Sequence, residues 1–254
     1  QLLKGHPHLD DIILFERKYL GKAWYNPCAF GSLVSLITKL RKEQFDAVID
    51  LQGLFRTASL SWLLGCKKRF GLSTAREFAH IFYTHEVIRT PDCIHVVDYY
   101  LKVVQATGGK HTEPKFVLPE NAGAQLSVAR LLKEQNVNID SYAVLIPASA
   151  HSDKCWPIER YANLANKLSS EFNLSIVAVG NQSEKDIVET LKKSADVAVA
   201  NLAGITNLSE LVALLRNARL VVGNDTGPGH IAAALGVPLV MILGRANPIR
   251  IAPY

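Results

Sequence analysis

The sequence of 254 residues has little cysteine and no long hydrophobic run. Its four cysteines are scattered, with no CxxC pair and no cysteine–histidine spacing that closes a zinc site, so we expect free thiols, a reducing compartment and no bound metal. No apolar run approaches the roughly 20 residues that cross a bilayer, and no signal-peptide pattern opens the chain. We therefore expect a soluble protein, which can still touch a membrane surface.

Two common nucleotide-binding motifs are also absent from the sequence. No GxGxxG follows a predicted strand, which argues against an NAD-dependent Rossmann enzyme, and there is no GxxxxGK[ST] phosphate-binding loop. The charge is mildly basic, with 28 Lys plus Arg against 23 Asp plus Glu. This excess favours phosphorylated ligands or an anionic membrane face, and it is too small to indicate a nucleic-acid partner.

Short apolar runs alternate with helical patterns along the chain, which is typical of βα units around a parallel sheet. The predicted strands are 12–15, 47–49, 143–146, 175–179, 220–222 and 239–243. The fold class is therefore α/β, and the second half is predicted to be a Rossmann-type domain that binds its ligand at the carboxyl ends of the strands. A polar stretch after a predicted helix places the domain boundary at residue 138, giving domains 1–138 and 139–254.

The stretch VVGNDTGPGH lies at a predicted strand-to-helix turn. Unpaired backbone N–H groups and the positive end of the helix dipole favour an anion such as a diphosphate at this place. Gly227 and Gly229 let the backbone approach a ligand, Thr226 offers a hydroxyl, and His230 can donate to a phosphate or sugar oxygen. A plain capped helix, with Asp225 or Thr226 as the N-cap, explains the turn equally well when it is taken alone.

Two further loops follow predicted strands of the same half. PASAHSDKCWP contains Lys154, which can neutralise a phosphate, although an exposed surface lysine is the simpler explanation for a lone lysine. GNQSE ends in Glu184, which can accept hydrogen bonds from ribose hydroxyls or simply cap the next helix. Because all three loops leave carboxyl ends of strands in one predicted sheet, they can share a single crevice.

The first half holds weaker signals. Asp50, Gln52 and Gly53 follow a predicted strand, with Arg56 shortly after them, and they either line the facing side of a cleft or cap a helix. A basic set in the same half can meet the phosphates of an acceptor or form a solvated face. Its members are Arg56, Lys67, Lys68, Arg69 and Arg76.

Several segments together resemble one family. They are VIDLQGLFRTASL, FGLSTAREFAHIFY, HVVDYYLKVVQATG, PASAHSDKCWPIERYANLANKL, the long stretch from NLAGITNLSE to VMILG, and the final NPIR. In this order they are similar to the bacterial lipopolysaccharide heptosyltransferases of glycosyltransferase family 9, nearest to the enzymes that add the first inner-core heptose. The resemblance covers nearly the whole chain. It implies a GT-B fold, in which two Rossmann-like domains with parallel sheets face each other across a cleft, the acceptor on the first and the sugar nucleotide on the second.

The resemblance also implies roles for individual residues. Asp225, Thr226 and Gly227 match positions that hold the diphosphate and sugar of ADP-heptose, and His230 matches a histidine beside them. Preorganised donors at the departing phosphate lower the barrier, and the helix start at Gly229 is one of them. By this resemblance, Asp225 is one of two expected catalytic residues.

The second expected catalytic residue is Lys154, which matches a family lysine that faces the phosphates. Glu184 matches a glutamate that contacts the ribose. Ser149 and Ala150 fall where relatives carry hydroxyls that contact phosphate, so the alanine removes one such contact. No cofactor and no metal is implied, because protein cations and the helix dipole serve the leaving group.

The implied reaction is an inverting transfer of heptose from ADP-heptose to the Kdo-lipid A inner core of lipopolysaccharide. The implied location is cytoplasmic and peripheral, at the inner face of the inner membrane. The family's glycine–aspartate loop, which carries its general base, is expected upstream of residue 1, and a last helix is expected beyond residue 254. We therefore expect these residues to bind donor weakly and to transfer little or nothing. A non-catalytic sugar-nucleotide-binding module and another GT-B sugar transferase remain as alternatives.

Overall fold

The computed structural model describes residues 2–110, 113–149, 155–244 and 247–254. The chain divides into two compact units, which we call the first unit (Ile13–Pro114) and the second unit (Gln1–Ile12 with Lys115–Tyr254). Among the described residues, no helix combines the length and the apolar character needed to span a membrane.

The first unit is a small α/β structure. Its strands β1 (Val48–Asp50), β2 (Arg69–Leu72) and β3 (His85–Val87) form a parallel sheet in that order. Its helices are α1 (Arg17–Leu20), α2 (Pro27–Lys42), α3 (Phe55–Leu63) and α4 (Val96–Ala106), and a 3₁₀ turn spans Ala79–Phe82. The core is small, because the buried cluster consists of Phe70, Leu72, Cys93, Tyr99 and Val103.

The predicted strand at Ile12–Phe15 is wrong. These residues form no regular structure, and their side chains are between 37% and 72% exposed. An extended segment persists as a strand only when it is paired in a sheet, and apolar composition alone does not supply a partner. The apolar run therefore lies on the surface.

The second unit is a larger α/β structure with a five-stranded parallel sheet. Its strands are β4 (Tyr142–Ile146), β5 (Ser175–Ala178), β6 (Val199–Asn201), β7 (Leu220–Asn224) and β8 (Leu239–Ile242). Its helices are α5 (Ala122–Glu134), α6 (Ile158–Phe172), α7 (Lys185–Ser194), α8 (Leu208–Arg216), α9 (Gly227–Ala234) and α10 (Pro248–Ile251). The strand order is β6-β5-β4-β7-β8. β5 and β6 are added on one side of β4, and β7 and β8 lie on its other side, so the strand order reverses between the neighbouring strands β4 and β7.

The side chains of alternate residues in these strands pack into two separate hydrophobic cores. Val144 and Ile146 face one cluster, whereas Ala143 and Leu145 face the other. All five residues of β4 are buried, as expected for a central parallel strand that is covered by helices on both faces. Because the strands are parallel, the loops that follow them meet at one edge of the sheet.

The division between the units comes earlier in the chain than the predicted boundary at residue 138. α5 lies before that boundary, yet its residues Ala124, Val128 and Leu132 are buried in the same cluster as Val144 of β4. Its Ser127 hydroxyl also donates to Glu210 Oε1 in α8 at 2.6 Å. Packing therefore assigns α5 to the second unit.

Candidate functional site

A cleft of about 500 Å³ lies at the carboxyl edge of the five-stranded sheet. The loops after β4, β5, β6 and β7 line it, which places it at the point where the strand order reverses. Five of the residues predicted from the sequence are brought together here: Ser149, Glu184, Asp225, Thr226 and Gly227. A larger cavity of about 730 Å³ lies beside the N-terminal turns of α5 and α8, and its described lining contains none of the predicted site residues.

The turn from β7 into α9 presents Asp225 and Thr226 to the cleft. Asp225 has a side chain that is 9% exposed, and its Oδ1 lies 3.5 Å from Nε2 of His230. Thr226 is the N-cap residue of α9, but its hydroxyl makes no capping bond and instead donates to the Asn224 carbonyl at 3.2 Å. Helix capping alone therefore does not account for the hydroxyl or for the nearly buried carboxylate.

The two glycines of this turn have different surroundings. A Cβ added at Gly227 would meet no atom within 4 Å, so the space beside it is open to a ligand. A Cβ at Gly229 would lie 2.6 Å from Met241 Cε. Gly229 and His230 do not line the cleft, and the Met241 side chain fills the space beside Gly229.

Glu184 lies in the cleft wall and also caps a helix. Its Oε2 accepts a hydrogen bond from the backbone N–H of Asn181 at 2.7 Å, while Asn181 Oδ1 accepts from the N–H of Ser183 at 2.8 Å. This is a capping box at the start of a short 3₁₀ turn that leads into α7. The two explanations offered by the sequence are therefore compatible, since the cap fixes the carboxylate beside the cleft.

The loop after β4 is only partly described. Ser149 lies in the cleft lining, whereas Ala150 and Lys154 lie outside the described residues, so their expected roles stay predictions. The loop's return is described at Trp156, whose backbone N–H donates to Asn224 Oδ1 at 3.0 Å. Nδ2 of the same asparagine donates to the Pro147 carbonyl at 2.8 Å.

In the first unit, Asp50 holds together the loop that was predicted to face an acceptor. Its Oδ1 accepts from the backbone N–H groups of Gln52 and Gly53, at 2.9 and 3.2 Å. Its Oδ2 accepts from the hydroxyls of Thr57 and Tyr83, both at 2.8 Å. Burial raises the pKa of Tyr83 above its ordinary value, and the hydrogen bond to Asp50 raises it further.

The surroundings of Asp50 support a structural role for this carboxylate. Asp50 is 6% exposed and accepts four hydrogen bonds, so both of its oxygens are occupied in stabilising the loop. Gly53 has a positive φ of 66°, which a glycine adopts without strain, and its carbonyl accepts from Arg76 N–H at 2.8 Å. Gln52 is exposed beside it, and Arg56 is half-buried as the second residue of α3.

The cleft also contains residues that the sequence analysis did not single out. Thr206, Asn207, Leu208 and Leu211 line it from the loop after β6 and the first turns of α8. The signal was present in NLSE, which is a capping-box sequence: Asn207 Oδ1 accepts from Glu210 N at 3.0 Å, and Glu210 Oε2 accepts from Asn207 N at 2.8 Å. It was missed because β6 has only three residues and was not recognised as a strand.

Two parallel sheets in separate units, one of them with a loop-lined cleft at its switch point, define an α/β architecture of the GT-B class. Residues 33–254 match the family described as glycosyltransferase family 9 (heptosyltransferase), and the chain belongs to that family. It is 31% identical over 228 residues to the lipopolysaccharide core heptosyltransferase OpsX of Haemophilus influenzae, covering 87% of this chain and 63% of that protein. It is 27% identical to lipopolysaccharide heptosyltransferase 1 of Salmonella typhimurium, covering 100% of this chain and 78% of that protein.

Solved structures show the same fold. A glycosyl transferase family 9 structure from Veillonella parvula superposes with a TM-score of 0.88 at 21% identity, covering 100% of this chain and 72% of that one. The Escherichia coli heptosyltransferase WaaC with ADP gives a TM-score of 0.77 at 26% identity, covering 98% of this chain and 76% of that one. The chain thus spans between 63% and 78% of the length of these four relatives.

Proposed function

We propose that the protein is a heptosyltransferase that moves heptose from ADP-heptose to the inner core of lipopolysaccharide, with the cleft of the second unit as its donor site. The observation that carries the proposal is the convergence of Ser149, Glu184, Asp225, Thr226 and Gly227 on one cleft at the sheet's switch point. WaaC of Escherichia coli, which is 26% identical, was solved with ADP, and at 25% identity with ADP-2-deoxy-2-fluoro heptose. Its ligands fit the chemistry of this cleft.

The cleft offers a different group to each part of the donor. Its wall of Ile146, Val179 and Leu211 is apolar and suits a base, while the fixed carboxylate of Glu184 suits ribose hydroxyls. The turn at Asp225 and Thr226 opens α9, whose N-terminus favours the negative diphosphate. We assign the sugar to the side of Asp225, because a nearly buried carboxylate is a strong acceptor for sugar hydroxyls.

The reaction is a single displacement at the anomeric carbon. An acceptor hydroxyl oxygen forms the new bond to that carbon, the carbon–oxygen bond to the diphosphate breaks, and the configuration inverts. The acceptor proton passes to a general base, and ADP leaves with the bonding electron pair. Negative charge builds on the departing phosphate, where the start of α9 and Lys154 stabilise it.

Titration of ADP and ADP-heptose into the chain tests the donor site. Asp225→Ala is expected to weaken ADP-heptose binding by about tenfold or more, and ADP binding less, because the carboxylate faces the sugar. Lys154→Ala is expected to weaken both ligands. Asp186→Ala and Lys167→Ala remove exposed charges from α7 and α6, outside the described lining of the cleft, and serve as matched controls.

Three outcomes of binding and transfer measurements have different meanings. Tighter binding of a UDP-sugar than of ADP-heptose would instead support another GT-B sugar transferase. Donor binding without transfer to Kdo-lipid A in a separate activity assay would support the non-catalytic module. Absence of binding of either ADP ligand by the folded chain would refute the donor site.

We further propose that the protein works at the cytoplasmic face of the inner membrane as a peripheral protein. An exposed group that we call the aromatic patch supports this: Phe55, Trp62, Phe78 and Ile81, which are 49–74% exposed. The ring of Phe82 lies 5.3 Å from that of Phe55 and 6.2 Å from that of Trp62. Residues 51–84, which contain the patch, carry five basic side chains and one acidic side chain, so the patch lies in a basic segment of the chain that suits anionic lipid.

A further inference from the structure

We propose that Asn224 is a positioning residue of the donor site, whose side chain holds both ends of the loop after β4 against the end of β7. The proposal rests on the function proposed above, because the loops concerned are those assigned to the donor. It goes beyond that function in naming a residue that does not line the cleft and acts only through the residues that do.

A single amide group bridges the two ends of the loop. Asn224 is 0% exposed, its Nδ2 donates to the carbonyl of Pro147 at 2.8 Å, and its Oδ1 accepts from the N–H of Trp156 at 3.0 Å. Pro147 is the first residue after β4, and Trp156 lies two residues before α6. The amide therefore fixes where the loop leaves the sheet and where it returns.

Tyr161 sets the orientation of this amide. Its hydroxyl donates to Asn224 Oδ1 at 3.1 Å and lies 3.2 Å from the carbonyl of Ile146. Burial raises the pKa of Tyr161 above its ordinary value, so the hydroxyl stays protonated, and its ring meets that of Trp156 edge-on with 5.1 Å between centroids. The two donors, the Trp156 N–H and the Tyr161 hydroxyl, require an oxygen, and the Pro147 carbonyl requires an N–H. The amide of Asn224 therefore satisfies all three partners in one orientation only.

The position of Asn224 connects this clamp to the donor site. The next residue is Asp225, and the clamped loop contains Ser149, so the amide joins two of the loops that line the cleft. Val221 and Val222 of the same strand are apolar, and a buried amide at the strand end is tolerated because both of its polar atoms have hydrogen-bond partners. Displacement of a phosphate-contacting group by about 1 Å costs up to roughly 100-fold in rate, so a fixed loop matters.

The test compares ADP affinity in folded variants. Asn224→Val is expected to raise the ADP dissociation constant by about tenfold or more, and Tyr161→Phe by less, because it removes only one of the bonds to the amide. The matched control is Asn201→Val at the end of β6. Asn201 makes two comparable bonds, to Glu189 and Ala203, and does not line the cleft. We expect the control to change ADP affinity by less than about twofold, whatever it does to thermal stability.

A second measurement reads the clamp without any ligand. Trp24 and Trp62 are 85% and 54% exposed, so replacing both with phenylalanine leaves Trp156 as the single tryptophan of the three. In that background, Asn224→Val is expected to increase acrylamide quenching of Trp156, and Asn201→Val is not.

The outcomes separate this proposal from the proposed function. Folded Asn224→Val protein that binds ADP like the parent chain would overturn the positioning role. If the parent chain itself does not bind ADP, the donor-site assignment fails, and the quenching result then decides the clamp alone. Unchanged quenching of Trp156 in Asn224→Val would refute the clamp.

Discussion

Single side chains in the second unit are placed by contacts that the sequence shows only in part. Asp225, Thr226 and Glu184 were predicted from loop position and residue type, and the structure brings them to one cleft. Asn224 was not singled out, because nothing in the sequence indicates that an amide on β7 reaches Pro147 and Trp156, some 70 residues away in the chain. Long-range hydrogen bonds become visible only once the strand order is known.

Two glycines of VVGNDTGPGH give a paired prediction at the residue scale. Gly223→Ala would place a Cβ 2.7 Å from Ile146 Cβ on the neighbouring strand, and we expect a loss of about 1–3 kcal/mol from overpacking. Gly229→Ala would place a Cβ 2.6 Å from Met241 Cε, a flexible methyl that can turn away, and at an ordinary contact distance of 3.8 Å from the Asn224 carbonyl oxygen, so we expect a loss below about 1 kcal/mol.

Urea unfolding of both glycine variants, followed by circular dichroism, measures these differences. The midpoint of Gly223→Ala should fall clearly below that of Gly229→Ala at unchanged slope. Equal midpoints would show that β4 and β7 separate easily, contrary to their tight register.

At the scale of elements, the long periodic helices and four of the five strands of the second unit were predictable, and three short strands were not. β4, β5, β7 and β8 were all predicted to within two residues at each end. β2, β3 and β6 were missed, although β1, which is equally short, was predicted. Their extended form comes from pairing with neighbours, which is a tertiary effect that local pattern does not encode.

The start of α8 provides a prediction about an element. Glu210 Oε2 accepts from Asn207 N–H at 2.8 Å, and its Oε1 accepts from the Ser127 hydroxyl at 2.6 Å, so one side chain caps α8 and joins it to α5. We expect Glu210→Ala to lower the free energy of unfolding by about 1–2 kcal/mol. Glu210→Gln keeps an acceptor for the cap and a polar partner for Ser127, so it should lose less than half as much.

Chemical denaturation of the two Glu210 variants beside the parent chain gives the answer. A similar loss in both would mean that the charge, and not the pair of hydrogen bonds, stabilises the start of the helix.

At the scale of the whole molecule, the units differ in what they can be expected to do. Two extensive cores cover both faces of the five-stranded sheet, whereas the buried cluster described in the first unit has five members. The first unit also carries the aromatic patch and most of the net positive charge, within residues 51–84. One unit therefore has the features of a ligand-binding domain and the other those of a surface-contacting domain.

Vesicle binding tests the division of roles. We expect the chain to sediment with vesicles that contain phosphatidylglycerol and not with phosphatidylcholine alone, and to be released by high salt. Phe78→Ser should weaken binding by about tenfold, because one exposed aromatic side chain no longer enters the interface. Phe172→Ser removes an aromatic side chain of similar exposure, 65% against 74%, from the second unit and is the control.

Two results would count against membrane contact through the patch. Equal weakening of vesicle binding by both phenylalanine variants would show that the aromatic patch is not the contact site. Binding that does not depend on lipid charge would exclude a role for the basic residues of the same segment. Self-association of the chain that Phe78→Ser abolishes would assign the patch to a second copy.

The alternation of core-facing residues along β4 has a consequence for how such a protein changes over time. Every position of β4 packs into one core or the other, so substitution there is restricted to residues of similar volume. The exposed residues of the loops at the carboxyl edge are under no such packing restriction. New donor specificities can therefore arise by exchange of a few exposed loop residues on a scaffold that stays constant, provided that the capping boxes at Asn181 and Asn207 are kept.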